Sequence, residues 1–168
     1  QPGTERLATV LQRLGNPQAG IPAIHIAGTN GKGSTAAYCA SLLGQLARAL
    51  QRAGGPHLRL GLYTSPHLQR VRERIQLSED PQAELRECTE AEFVRALAAV
   101  QGAAQAAPEV VLTFFEVLTA AAFVLWREAG VQLAVVETGL GGRLDATRLC
   151  AAAVTVVLEV VLLELVEV

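Results

Sequence analysis

The sequence contains no methionine, and Lys32 is the only lysine among its fourteen basic residues. No apolar run approaches the ~18 residues that a membrane-spanning helix needs. Gln1 to Glu5 do not resemble the start of a signal peptide. These absences predict a cytoplasmic protein that does not contact the membrane. The missing initiator methionine predicts that the N-terminus is trimmed or that the chain is a fragment.

Positive charge and sulfur ligands are also scarce. The net charge of −2 argues against a nucleic-acid-binding protein, which would show a basic surface, so any anionic ligand must be bound by local groups. Cys39, Cys88 and Cys150 are widely spaced and form no C-x-x-C pair, which predicts free thiols rather than a disulfide or a metal site. With 51% hydrophobic residues in 168, the chain is expected to form one globular domain with a substantial core.

Strand and helix patterns alternate along the chain. Apolar periodicity and capping signals predict helices over residues 4–14, from 36 to near 54, 90–101 and 113–129, and strands over 23–27, 60–63, 131–136 and 152–158. Alternation over 71–77 predicts a half-buried strand or hairpin arm, followed by a surface loop through 78–86. The fold class that follows is three-layer α/β, with a mostly parallel, doubly wound sheet.

A glycine-rich loop connects the first predicted strand to a helix. Its residues are Gly28, Thr29, Asn30, Gly31, Lys32, Gly33, Ser34 and Thr35. Glycines and the free N–H groups of a helix start favour a bound phosphate, and Lys32 supplies a compact positive charge. The loop departs twice from the common G-x-x-x-x-G-K-[ST] pattern, at Ile26 and Gly33. The alternative interpretation is an ordinary strand-to-helix turn.

Two further predicted strands also end in groups that suit a nucleotide and a metal. Ser65 follows the second strand, and Glu137 ends the otherwise apolar third strand. The carboxyl ends of parallel strands lie at one edge of a sheet, so these groups are expected to meet the phosphate loop there and to bind Mg²⁺. The alternatives are a turn hydroxyl for Ser65 and a solvated carboxylate for Glu137.

The segment after Glu137 is rich in glycine but lacks the third glycine of a dinucleotide-binding fingerprint, since Leu144 stands in its place. It is therefore predicted to be a substrate-binding loop. Arg143 is a candidate for an anionic substrate group, and Asp145 for a ring N–H or amino group. The alternatives are a solvated arginine and a turn aspartate that bonds to its own backbone. His25, inside the first strand, is predicted to be a core residue.

Five segments together resemble a known family. They are 28–34 (GTNGKGS), 63–68 (YTSPHL), 73–75 (ERI), 113–116 (TFFE) and 137–147 (ETGLGGRLDAT). In this order and spacing they resemble the N-terminal ATPase domain of folylpolyglutamate synthase/dihydrofolate synthase, in the Mur ligase superfamily, over about residues 1–157. The resemblance implies a Mur ligase central-domain type of fold with a phosphate-binding loop.

The resemblance also implies an activity. It is ATP-dependent addition of L-glutamate to dihydropteroate, folate or folate polyglutamates through an acyl phosphate. ATP would bind to Gly28–Thr35 and Mg²⁺ to Ser65 and Glu137, with Lys32 and Glu137 as catalytic residues. Asp145, Ala146 and Arg143 would contact the pteroate. Which of the two synthase activities applies stays open.

Residues 158–168 diverge from the family. A metal-binding histidine, a carbamylated lysine and a glutamate-binding C-terminal domain follow in the family, and here the last ten residues are EVVLLELVEV. We therefore expect an N-terminal ATP-binding domain without its C-terminal partner, inactive alone and monomeric when full length. The alternatives are a non-catalytic nucleotide-binding remnant and a cell-wall amide ligase of the Mur type.

Overall fold

A computed structural model of the protein describes residues 4–78, 84–139 and 144–158. Two short 3-10 helices, Val71–Arg74 and Ala146–Leu149, accompany the main elements. These elements are helices α1 (Glu5–Arg13), α2 (Lys32–Arg52), α3 (Glu90–Gln105) and α4 (Phe114–Ala129), and strands β1 (Pro22–Gly28), β2 (Leu60–Tyr63), β3 (Ile75–Leu77), β4 (Arg86–Glu87), β5 (Leu133–Glu137) and β6 (Ala151–Leu158).

The strands form a six-stranded sheet in the order β4-β3-β2-β5-β1-β6. Strands β2, β5, β1 and β6 are mutually parallel, whereas β3 and β4 add an antiparallel edge next to β2. The chain crosses the sheet in one direction from β1 to β2 and in the opposite direction from β2 through β5 to β6, as in a doubly wound fold. The predicted fold class is therefore confirmed.

Helices cover both faces of this sheet, which gives the three predicted layers. On β5, Ala134 and Val136 pack into the large core formed with α1, α3 and α4. The intervening Val135 packs on the opposite face against Ala36 and Ala40 of α2. Successive strand residues point to opposite faces, so the uninterrupted apolar run of β5 is explained by burial on both sides.

The prediction for residues 71–77 was wrong in its first half. Residues 71–74 form a 3-10 helix, and the strand begins only at Ile75. The Glu73 carboxylate accepts N–H groups from Leu68, Gln69 and Arg70 at 2.7, 3.0 and 2.7 Å. These bonds hold the backbone in a turn, which overrides the alternating apolar pattern. The predicted surface loop also ends in a short strand, β4, rather than continuing through Arg86.

The helix starts differ in a way that bears on the site. Helices α3 and α4 begin with capping boxes, Thr89 with Glu92 and Thr113 with Glu116, as predicted. Helix α2 begins after Gly31 with no side-chain cap and no acidic residue in its first turn. Its first N–H groups are therefore left for a ligand or for water.

Two further predictions concern the described part of the chain. None of its helices combines the length and apolar character that crossing a membrane requires. Cys39, Cys88 and Cys150 are free thiols, as predicted, and the last two are buried. Burial raises the pKa of the Cys88 and Cys150 thiols to about 11, so both stay protonated and unreactive at neutral pH.

Candidate functional site

The loop between β1 and α2 is open to solvent on its ligand-facing side. Thr29, Asn30, Gly31 and Ser34 are exposed. Gly31, which precedes the helix, has a φ of 79°, a left-handed conformation that other residues adopt only with strain. The turn therefore places the start of α2, with its free N–H groups and positive dipole end, at the carboxyl edge of the sheet. This geometry suits an anion.

The Lys32 side chain folds back over the same loop. Its Nζ donates to the carbonyl oxygens of Gly28 at 2.9 Å and Thr29 at 3.1 Å. These bonds hold the ammonium group of the only lysine at the mouth of the loop. The charge lies beside the uncapped helix start, so both features attract negative charge at one place.

Glu137 lies at the end of β5, directly against the start of α2. The residue is only 3% exposed, and its Oε2 accepts the backbone N–H of Ser65 at 3.0 Å. A Cβ built on Gly33 would lie 3.6 and 3.7 Å from the two carboxylate oxygens. The ends of β1, β2 and β5 therefore meet, and the structure brings Gly33, Ser65 and Glu137 together as the sequence predicted.

Burial raises the pKa of the Glu137 carboxyl, and the Ser65 N–H and the Lys32 charge oppose that rise. A buried carboxylate is costly unless a cation compensates it. Within the described residues, no group of three or more His, Cys, Asp and Glu side chains is placed to hold a metal ion. A metal at Glu137 would therefore take most of its ligands from phosphate and water, as Mg²⁺ commonly does.

Asp145 is engaged by its own segment. Its Oδ2 accepts the N–H of Gly139 at 2.9 Å, and its Oδ1 accepts the N–H of Thr147 at 2.9 Å and the hydroxyl of the same residue. These bonds match the turn interpretation that the sequence left open. Ala146, buried beside it, starts the second 3-10 helix. Arg143 lies outside the described residues, so its predicted contact with substrate stays a prediction.

Sequence reasoning missed the partner of His25. The histidine is a buried core residue, as predicted, and its Nε2 lies 2.9 Å from the Thr147 hydroxyl. The two residues are 122 positions apart, and no motif connects them. Sequence reasoning also missed the stacking of Arg74 over the exposed ring of Phe114, 5.8 Å from its centroid. Nothing in the spacing of these residues indicates either contact.

The sequence was compared with families and with known proteins. No model of a protein family matches it. Folylpolyglutamate synthase of Lacticaseibacillus casei is 38% identical over 157 residues, which cover 94% of this chain and 34% of that protein. Dihydrofolate synthase/folylpolyglutamate synthase of Mycobacterium tuberculosis is 39% identical over 160 residues, which cover 93% of this chain and 31% of that protein.

Solved structures of similar proteins have the same fold. Folylpolyglutamate synthase of Thermotoga maritima matches with a TM-score of 0.80 at 36% identity, over 96% of this chain and 35% of that one. A bifunctional folylpolyglutamate synthase/dihydrofolate synthase with Mn, AMPPNP and L-glutamate bound matches with a TM-score of 0.74 at 34% identity. The match covers 94% of this chain and 34% of that one. Over more than nine tenths of its length, the chain is thus similar to proteins named folylpolyglutamate synthase and dihydrofolate synthase, and it spans about a third of the length of these relatives.

Proposed function

We propose that this chain forms the ATP-binding part of a ligase that adds L-glutamate to dihydropteroate, folate or folate polyglutamates. The observation that carries the proposal is the position of Glu137, whose buried carboxylate lies against the start of α2 beside Lys32 and Ser65. A nucleotide–metal complex supplies both the phosphate that the helix start favours and the cation that the carboxylate favours.

In this proposal the N–H groups at the start of α2 bind the phosphates of ATP. Lys32 neutralises the charge on the γ-phosphoryl group as the substrate carboxylate attacks it and the bond to ADP breaks. Glu137 and Ser65 would hold Mg²⁺, which screens the phosphate charges when bound. The acyl phosphate then receives the amine of L-glutamate, which forms the amide and releases phosphate. A relative with Mn, AMPPNP and L-glutamate bound supports this ligand set.

Asp145 and Ala146 are proposed to line the pocket that binds the pteroate. Both residues follow Glu137 by fewer than ten positions and are buried next to the same edge of the sheet. Asp145 already accepts three hydrogen bonds from the chain. Its part in the pocket is therefore proposed to be mainly that of holding Gly139 and Thr147 in place. We also infer a cytoplasmic location, where ATP is available, and a monomeric full-length protein.

One alternative function is a nucleotide-binding module that takes no part in ligation. It is kept because the phosphate loop is exposed and is formed within this chain alone. The cell-wall ligase is not proposed further, because the relatives carry the names of folate enzymes.

Thermal unfolding with ligands separates the proposals. We expect Mg-ATP to raise the Tm, and dihydropteroate added with Mg-ATP to raise it further, since a ligand at 100 times its Kd contributes about 2.7 kcal/mol. Lys32→Ala is the control variant and should lose the shift from Mg-ATP. A shift from Mg-ATP alone would favour the nucleotide-binding module. No shift with Mg-ATP would contradict both.

A further inference from the structure

Three buried polar side chains are joined by consecutive hydrogen bonds next to the candidate site. His25 of β1, Thr147 of the second 3-10 helix and Asp145 are 6%, 0% and 7% exposed. His25 Nε2 lies 2.9 Å from Thr147 Oγ1, and the Thr147 hydroxyl lies 2.5 Å from Asp145 Oδ1. These groups are shielded from water, so their hydrogen bonds must be satisfied mainly by other groups of the protein.

Counting protons fixes the direction of these bonds. The Thr147 hydroxyl has one proton, and Asp145 as a carboxylate can only accept. The hydroxyl proton therefore goes to Asp145, and the oxygen of Thr147 is left to accept from His25. The imidazole must carry its proton on Nε2. Burial lowers the pKa of His25, against the opposing charge of Asp145, so the ring is neutral at pH 7.

The chain of bonds joins three parts of the candidate site. His25 precedes the phosphate loop by three residues on β1, and Asp145 also accepts the N–H of Gly139, two residues after Glu137. The same carboxylate accepts the N–H of Thr147. One carboxylate thus binds the backbone of Gly139 and of Thr147, and the histidine connects Thr147 to the strand that carries the loop.

We propose that His25 is a positioning residue, which through Thr147 fixes Asp145 and Gly139 relative to the phosphate loop. Its role is to hold the organic substrate next to the bound nucleotide, and this consequence rests on the function proposed above. His25 itself touches neither ligand. Removing its N–H should weaken the binding of the organic substrate more than the binding of the nucleotide.

The proposal is tested first without a ligand, by ¹⁵N NMR of the histidine rings in the full chain. We expect His25 in the Nε2–H form. In His25→Leu and Thr147→Val, the amides of Gly139 and Thr147 should exchange about tenfold faster, since each tenfold corresponds to ~1.4 kcal/mol and a hydrogen bond contributes about that much. His25→Gln and Thr147→Ser keep the donor and the hydroxyl and should exchange as the wild type does.

Ligand binding then separates positioning from simple stabilisation. With saturating Mg-ATP, dihydropteroate should bind about tenfold more weakly to His25→Leu and Thr147→Val, with recovery in His25→Gln and Thr147→Ser, while Mg-ATP affinity stays within about twofold. Equal losses for both ligands in folded variants would overturn the proposal.

Other outcomes are equally decisive. An Nδ1–H ring in the wild type would overturn the proposed chain of bonds, even if every variant failed to fold. Unchanged exchange at Gly139 and Thr147 in His25→Leu would overturn it too. If the wild type did not bind dihydropteroate at all, the proposed function would fail, and the ring and exchange measurements would still decide the positioning role.

Discussion

At the scale of single residues, the candidate site contains a buried carboxylate whose charged form is disfavoured by its surroundings. Glu137 is buried with one backbone N–H as its hydrogen-bond donor and with Lys32 as a nearby charge. Burial raises its pKa, so the folded protein binds the Glu137 proton more tightly than the unfolded chain does. Stability therefore falls as the pH rises from the unfolded-state value through the raised one. Such a cost is typical of a functional group.

Glu137→Gln should consequently stabilise the protein without ligand at neutral pH. The amide oxygen can still accept the Ser65 N–H, and the charge is gone. Calorimetry at pH 7 should show a higher Tm for the variant, and the difference should shrink as the pH falls towards 4.5. Glu109→Gln, at an exposed turn position, serves as the control and should leave the Tm nearly unchanged. A lower Tm for Glu137→Gln at pH 7 would contradict the account of this residue.

At the scale of secondary-structure elements, glycines set how closely the layers approach. A Cβ on Gly61 of β2 would lie 2.6 Å from the Trp126 ring of α4, which is fully buried and donates its N–H to the Gln76 carbonyl at 3.0 Å. The ring has no room to shift without losing that bond. Close contact of β2 with α4 therefore requires glycine at position 61.

Gly61→Ala should destabilise the protein by about 3 kcal/mol, the upper end of the range for an overpacked core. Gly102→Ala in α3 is the matched control, because a Cβ there meets nothing within 4 Å. Alanine favours a helix more than glycine does, so the control should gain up to about 1 kcal/mol. Urea unfolding measures both. Equal stability of the two variants would show that the packing of Trp126 is not as described.

The start of α4 offers a second test at this scale. Thr113 accepts the N–H of Glu116, whose carboxylate accepts the N–H of Thr113 and an N–H from the Arg6 guanidinium at 3.2 Å. Thr113→Ala should cost about 1 kcal/mol, as is usual for a lost N-cap. Thr9→Ala, which removes only a local hydroxyl bond within α1, should cost less. Urea unfolding in which Thr9→Ala cost as much would argue against the cap.

The elements were largely predictable, because apolar periodicity and capping boxes are local signals. The 3-10 helix at 71–74 was not, since it depends on the side chain of Glu73 turning back to three backbone N–H groups. Gly28 was predicted to let a phosphate approach, and the structure adds another reason. A Cβ there would lie 1.9 Å from the Leu158 carbonyl oxygen of β6, so the glycine also permits the pairing of β1 with β6.

At the scale of the whole molecule, the sequence predicted that the candidate site residues meet at one edge of the sheet, because parallel strands end together. It did not predict the sheet order or the antiparallel β3 and β4. The sequence also did not predict the contact of His25 with Thr147, since such a contact depends on the packing of distant segments. The motif residues at 28–35, 65 and 137 could be placed because each group lies at or just after the end of a strand.

The isolated 168-residue chain is expected to bind a nucleotide but not to complete ligation. The phosphate loop is exposed, and an acyl phosphate in contact with water would be hydrolysed before an amine reached it. An assay of ADP release should show no formation that depends on both dihydropteroate and L-glutamate. A longer protein of the family serves as the positive control. ADP formation that required both substrates would refute this expectation.

The most direct test of the account is calorimetric titration of ATP into the wild type, Lys32→Ala and Glu137→Gln, each with and without Mg²⁺. We predict that the wild type binds ATP much more tightly with Mg²⁺, that Glu137→Gln loses most of this dependence on Mg²⁺, and that Lys32→Ala binds poorly in both conditions. Equal ATP affinity in all three proteins, unaffected by Mg²⁺, would contradict a nucleotide–metal site formed by the phosphate loop, Lys32 and Glu137.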